Sequence, residues 1–516
     1  MHIDFAHISR GGRWGLMTKN AAIALVFLCL VFPFKCTAEE SRPGAIEAVQ
    51  LQPDVQAGIG AEPSEGAGPA PGEAPAKREG PVADSRRDCP EQKSEECPGW
   101  VPKFLGAQYN FVFQDMPPFH SPYQGRNSLS FLNGLGRQAT QTYGAYFGSQ
   151  LAPGLQAYAD FEYFQGNGIS NGVGLGGYVN GDVIRAGSSD LPKVPYLARL
   201  YLRYYYPLSG ETEKVERSMD QLPAAQPVSR WEFKFGKLAL TDDFDLNRYA
   251  NNNRTQFLNY DFLFNTAWDY AADTRGYSYG IVAALYQPLW RLAFGVFMEP
   301  DTQNGARFDV LDARELGHNL ELTLKPNGAG TVVRLLSYLN EGRMGSYDAA
   351  LALGRAASKA PDILLVEQPG GTKYGFGLNV EQPLADDGET GIFGRIGWND
   401  GSHQTWAYTE SDRHASLGAQ LSGIHWKRPD DRLGVAYGVN GLSEPHKDYL
   451  EAGGIGMLLG DGKLNYGFEQ VMELYYNIQV CRYVHISPDF QFLQDPGYNR
   501  DRGPVEVYGL RLRVSF

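Results

Sequence analysis

Long apolar runs are scarce in this chain. Beyond Phe34 no stretch of the 516 residues reaches the roughly 20 consecutive apolar residues that a membrane-crossing helix needs. The mean hydropathy is −0.35, which excludes a multi-helix membrane protein. Cysteine is rare, with five in all, and no Cys/His spacing matches a zinc site. Catalytic signatures are missing too. The nine His form no His-Glu-x-x-His, and there is no Gly-x-Ser-x-Gly and no glycine-rich phosphate loop. His425 and His485 stand alone, and Gly174-Leu175-Gly176-Gly177 reads as a plain loop. An enzyme is therefore not expected, nor any cofactor, bound metal or energy coupling. Positive charge is in deficit: the formal net charge of −13 argues against a nucleic-acid partner.

Aromatic residues and glycine, by contrast, are abundant: 30 Tyr, 27 Phe and 61 Gly. A soluble multi-domain protein of this length would need several separate cores. A large transmembrane barrel needs none, because its wall is apolar outside and polar inside and its average hydropathy stays modest. Aromatic girdles and glycine bends account for the remainder of such a composition.

The N-terminus reads as an export signal over residues 1–38. Arg10, Arg13 and Lys19 precede the apolar stretch Ala21 to Phe34, and Cys36-Thr37-Ala38 supplies small residues for cleavage. Met17 offers an alternative start, whereas Lys35 before Cys36 argues against a lipoprotein. Residues 39–102 read as a disordered periplasmic tail rich in Ala, Pro, Gly and Glu, or as a tether to something in the periplasm. Between Glu39 and Trp100 it carries 13 acidic and 6 basic residues. Cys89 and Cys97 predict a disulfide in that oxidising compartment, two free thiols being the other reading.

From about Lys103 to the end, apolar and polar residues alternate with the period of a β-strand. Ala198, Leu200, Leu202, Tyr204 and Tyr206 fall on one face, against Arg199, Tyr201 and Arg203 on the other. Leu155, Ala157, Ala159, Phe161 and Tyr163 alternate with Gln156, Tyr158, Asp160 and Glu162. Trp231, Phe233 and Phe235 alternate with Glu232 and Lys234; Leu474, Tyr476, Ile478 and Val480 alternate with Glu473, Tyr475, Asn477 and Gln479. A soluble β-sandwich would alternate as well, but it would not need aromatic strand ends opposite a charged face. In the last strand Tyr508, Leu510, Leu512, Val514 and Phe516 share a face opposite Arg511 and Arg513. A terminal strand of this kind ending in Phe resembles the signal read by the outer-membrane barrel-assembly machinery. Together with the export signal it predicts residence in the outer membrane, in contact with lipid. At about 25 residues per strand and loop, the segment predicts an all-β, antiparallel transmembrane barrel of roughly 16 strands, wide enough for an aqueous channel.

Specific blocks carry a family likeness. They are Phe235-Gly236-Lys237-Leu238-Ala239-Leu240-Thr241-Asp242-Asp243-Phe244-Asp245, Asn247-Arg248-Tyr249-Ala250 and Arg254-Thr255-Gln256-Phe257-Leu258-Asn259. Trp268-Asp269-Tyr270, Asp273-Thr274-Arg275-Gly276-Tyr277, Gly377 to Leu384 and Phe393 to Trp398 follow, then Glu473-Leu474-Tyr475-Tyr476, Pro488 to Gln491 and Asp495 to Asn499. In this order they resemble the carbohydrate-selective porins of the OprB family, over most of the barrel and none of the tail. The resemblance implies passive passage of monosaccharides and related polyols. It leaves open a divalent metal ion or another small solute, and the acidic tail leaves open an envelope-tethering barrel.

Alternation nominates as lumen residues in contact with solute Asp160, Glu162, Arg199, Arg203, Glu232, Lys234, Arg334, Arg395, Glu473, Asp489, Gln491, Arg511 and Arg513. Many of these would only solvate the wall or pair with one another. Asp242 to Asn259 is too polar and irregular for a strand. It is either a loop folded into the lumen, which would add Asp243, Asp245 and Arg254 to the solute contacts, or a solvated outer loop. Asp242-Asp243-x-Asp245 has oxygen ligands for a hard cation but lacks the glycine and distal glutamate of an EF-hand. Asp269, Asp273 and Arg275 are candidates for one charge-paired patch beside it. No separate plug domain is evident.

Overall fold

Strands with one apolar and one polar face cannot leave an edge unpaired in hydrocarbon, because every backbone N–H and C=O must find a partner there. The computed structural model of the chain solves this by closure. It describes residues 100–182, 191, 193–308, 315–326 and 330–516. The segment read as an export signal, most of the expected tail, and Cys89 and Cys97 with the disulfide expected between them lie outside the described residues. Sixteen antiparallel strands form one closed barrel, each paired with its neighbour in sequence except where a small two-stranded hairpin intervenes. The first strand, Lys103–Asp115, pairs with both Arg137–Ala152 and the last strand, Val505–Ser515, with Tyr109 opposite Tyr143 on one side and Val514 on the other.

The alternation read in the sequence becomes inside and outside. In the strand Tyr196–Pro207, Leu200, Leu202, Tyr204 and Tyr206 are exposed on the outer surface, while Tyr201, Arg203 and Tyr205 are buried inside. Ala198 departs from the expected face. The pairing with strand Leu155–Gly166 slips by one residue between Asp160 and Phe161, and this bulge turns Ala198 inward onto Ala239 and Tyr277. Outside, Trp231, Phe233, Phe235, Leu474, Tyr508 and Leu510 continue the apolar band.

The two ends of the barrel differ. At one end residues 153–154, 288–289 and 482–483 suffice to connect successive strands. Gly154 takes φ +75° in the first of these turns, and a Cβ there would lie 2.8 Å from the Tyr205 carbonyl. Short turns mark the periplasmic end of outer-membrane barrels. The connection between Tyr196–Pro207 and Arg230–Leu238 is an exception, because it carries the hairpin Thr212–Val215 and Ala224–Pro227.

The other end carries long connections. In two of them lie the helices Tyr347–Ala357 and Glu444–Glu451, with the Tyr347 ring stacked on His446 at 4.4 Å. The longest internal excursion, residues 239–277, leaves the strand Arg230–Leu238 and folds into the barrel before the strand Ser278–Gln287 begins. Its Phe244, Phe257, Phe262 and Trp268 are almost wholly buried. Each such Phe is worth roughly 1.5–3 kcal/mol relative to exposure. The irregular segment Asp242 to Asn259 is thus a lumen loop, not a solvated outer one.

Candidate functional site

A loop inside a barrel needs partners on the wall for the backbone groups that its own turns leave unpaired. The inward charges of the later strands meet that need. The Glu473 carboxylate accepts from the Leu258 and Asn259 N–H groups at 2.5 and 2.9 Å. Asn259 also donates to Gln491, which donates in turn to Asp489. Arg511 donates to the Asn253 and Gln256 carbonyls at 2.6 and 2.7 Å. Arg395, with no exposed side-chain surface, forms an ion pair with Asp245 at 3.1 Å and donates to the Phe262 and Ala250 carbonyls. Asn379 donates to Asp245 at 2.6 Å, and Glu381 accepts the Arg248 N–H. The wall makes room for this contact: Gly377 and Gly397 sit opposite one another, and a Cβ on Gly397 would stand 1.7 Å from Asn265 Oδ1. The loop therefore fills the lumen along these strands.

On the facing strands the lumen stays open as a cavity of about 900 Å³. Nine of the nominated residues line it: Glu162, Arg199, Arg203, Glu232, Lys234, Asp243, Arg254, Arg334 and Arg513. Asp160, Asp245, Arg395, Glu473, Asp489, Gln491 and Arg511 do not; they are buried in the wall or against the loop.

Most of the lining charges are paired. Arg203 donates two bonds to Glu232 at 2.9 and 3.1 Å, and Lys234 holds Asp243 at 2.8 Å. Arg199 holds Asp242 at 2.7 Å and reaches Asp160 at 3.4 Å. Arg254 bridges Asp182 and Glu162 at 3.3 and 3.2 Å, and Arg334 meets Glu381 at 3.2 Å. Glu162 also accepts from the hydroxyls of Tyr196 and Tyr277. Among the described residues the Arg513 side chain has neither an ion pair nor a hydrogen bond, and its Nε is buried without a partner. Tyrosines complete the surface: Tyr146 and Tyr286 from the strands and Tyr277 from the end of the inner loop, with Tyr260, Tyr270 and Tyr408 stacked nearly parallel at 6.0 and 4.9 Å.

The acidic run does not converge. Asp242 turns to Arg199, Asp243 to Lys234 and Arg291, and Asp245 to Arg395. Among the described residues no group of three His, Cys, Asp or Glu could hold a metal ion. Asp269, Asp273 and Arg275 also part company. Asp269 pairs with Lys373 and accepts from Trp406 and Ala407. Asp273 closes its own turn through the Arg275 and Tyr277 N–H groups, and the Arg275 guanidinium lies over the Tyr196 ring.

Sequence reasoning missed Tyr146, Asp182, Asp220, Arg291 and Glu321, all of which line the cavity. Arg291 alternates with Trp290 and Leu292, and Glu321 with Leu320 and Leu322, so the same pattern would have found them. Asp182 and Asp220 arrive on loops, where no periodicity marks them.

The family model described as "Carbohydrate-selective porin, OprB family" matches residues 150–516. The high-pH structure of Pseudomonas putida OprB superposes with a TM-score of 0.59 at 14% identity, covering 80% of this chain and 94% of that one. The low-pH structure of the same protein gives a TM-score of 0.42 at 12% identity, covering 80% and 92%. The outer membrane channel DcaP of Acinetobacter baumannii gives 0.42 at 11%, covering 80% and 97%. No curated protein sequence matches the chain. With a 16-strand barrel and a family match over most of its length, the chain belongs to the OprB family of carbohydrate-selective porins and is a β-barrel channel of the outer membrane.

Proposed function

We propose that this porin passes monosaccharides and similar small polar solutes by passive diffusion through the cavity beside the inner loop. The observation that carries the reading is the chemistry of that cavity: ion-paired side chains and tyrosine hydroxyls around about 900 Å³ of open space. Paired charges still offer N–H donors and carboxylate acceptors to a sugar's hydroxyls. They present less net field than isolated charges, which suits a neutral solute. Tyrosine rings add apolar faces for the C–H side of a pyranose. Each contact is weak and exchangeable with water, as release on the far side requires.

In this reading Glu162, Arg199, Arg203, Glu232, Lys234, Asp243, Arg254, Arg334 and Arg513 meet the solute. Asp160, Asp245, Arg395, Glu473, Asp489 and Arg511 set the shape of the space by holding wall and loop. The exposed band of Leu, Phe and Tyr faces lipid.

The test is a planar-bilayer recording with glucose titrated against the ion current. The reading predicts a concentration-dependent, saturable drop in current. A current that falls only in proportion to solution viscosity would overturn it.

A further inference from the structure

At the periplasmic end, where two residues suffice for other turns, residues 208–229 join two adjacent strands by way of the hairpin Thr212–Val215 and Ala224–Pro227. A connection this long is not needed to link neighbouring antiparallel strands. The hairpin does not hang free. Its tip, Ser218 to Leu222, turns back into the barrel mouth. Leu222 is buried, and its side chain lies so near the second strand that a Cβ on Gly148 would stand 3.0 Å from it. The Leu222 N–H donates to the Tyr158 hydroxyl at 3.2 Å, and Arg203 donates to Gln221 at 2.6 Å. Gln226 donates to the Tyr205 hydroxyl at 2.8 Å, and Arg217 reaches across to the Leu105 carbonyl of the first strand. Met219 and Asp220, between these anchors, line the same cavity as Arg199, Arg203 and Arg513.

We infer that this hairpin is a fixed second constriction, and that Met219, Asp220 and Gln221 are specificity-determining residues of the channel. The inner loop narrows the lumen from one side, and the hairpin tip narrows the periplasmic mouth below it. A solute that has passed the loop must then pass the gap beside Met219 and Asp220. The anchors on the first, third and fourth strands hold the tip in place, so it acts as a sieve and not as a flap. It also carries a carboxylate into a stretch of lumen where Arg199 is near enough to interact with it. This inference rests on the reading of the cavity as the solute pathway.

The experiment compares three full-length proteins in planar bilayers: the native chain, a variant with residues 209–228 replaced by a two-residue Asn-Gly turn, and the triple substitution Met219→Gly, Asp220→Gly, Gln221→Gly. The triple substitution gives up the Arg203 bond to Gln221 but keeps the anchors of Leu222, Gln226 and Arg217, so it reports even where the shortened chain does not fold. Single-channel conductance in potassium chloride is the first readout and permeation by sugars of increasing size the second. The expected result is a conductance rise of about twofold or more, since pore diameter sets flux, together with passage of larger sugars. Unchanged conductance and an unchanged size limit in the triple substitution would overturn the inference. If conductance rises while the native protein passes no sugar, the constriction stands and the sugar reading falls.

Discussion

At the scale of single residues, lumen charges divide into those that meet open space and those that hold structure, and the two classes respond differently to mutation. Arg395 is the clearest structural case. Replacing it with Ala strands Asp245 and two loop carbonyls in a buried site. Breaking a buried pair from one side costs roughly 3–5 kcal/mol. Arg395→Ala is therefore expected to lower the thermal unfolding midpoint in detergent and to raise channel noise as the loop loosens. Arg513 is the opposite case. It lines the cavity and has no partner among the described residues, so Arg513→Ala leaves no carboxylate unsatisfied. Its expected signature is intact stability with sugar affinity weakened by about 1.5–3 kcal/mol, the range for a hydrogen bond to a charged group, read from glucose block of the ion current. Both residues look alike in the sequence, each an Arg on a polar strand face. Only the position of the inner loop, which covers one and not the other, tells them apart.

At the scale of elements, the strands were legible and the loops only partly so. Period-two alternation is a local property, and in Trp231 to Phe235 or Glu473 to Asn477 it survives intact in the barrel. Ala198 misled because a bulge is set by its partner strand, not by its own neighbours. The inner loop could be suspected from its polarity, but its place in the lumen depends on Gly377 and Gly397, more than a hundred residues downstream. Gly397→Val tests that dependence. The added side chain would occupy the position of Asn265, so the loop is expected to shift and conductance to rise while the folded, heat-modifiable barrel persists on gels.

Asp412 is buried with His446, which holds it at 2.9 Å. Burial pushes the Asp412 carboxyl up, but the charge and hydrogen bond of His446 outweigh it and hold the group well below the usual carboxylate range. A depressed carboxylate adds stability above its ordinary pKa and loses it only as pH falls through the lowered value. The tie between the helix Glu444–Glu451 and the connection bearing Asp412 should thus persist through mild acid. In His446→Ala burial acts without that opposition, so Asp412 takes up a proton at higher pH and the tie fails sooner. Limited pepsin cleavage of the outer loops across an acid pH series reads this: early cleavage on acidification for His446→Ala and not for the native chain.

At the scale of the whole molecule, composition set the architecture. A chain with few long apolar runs, abundant Tyr, Phe and Gly, and alternation from Lys103 onward has one good way to satisfy its backbone in a membrane, a closed barrel. The strand count followed from length because loop and strand together consume a nearly fixed quota of residues. The division of the lumen did not follow, because filling one side and opening the other is a long-range matter of which charges meet the loop. In the proposed function the open side is a pathway selective for small neutral polyols. Swelling of liposomes that carry the purified protein, comparing glucose with charged solutes of similar size and with larger sugars, tests that selectivity. The expected result is fast glucose uptake that saturates, slower uptake of the charged solutes, and a sharp fall with sugar size. Rates ordered by size alone, with glucose and charged solutes alike, would contradict it and leave a general diffusion pore.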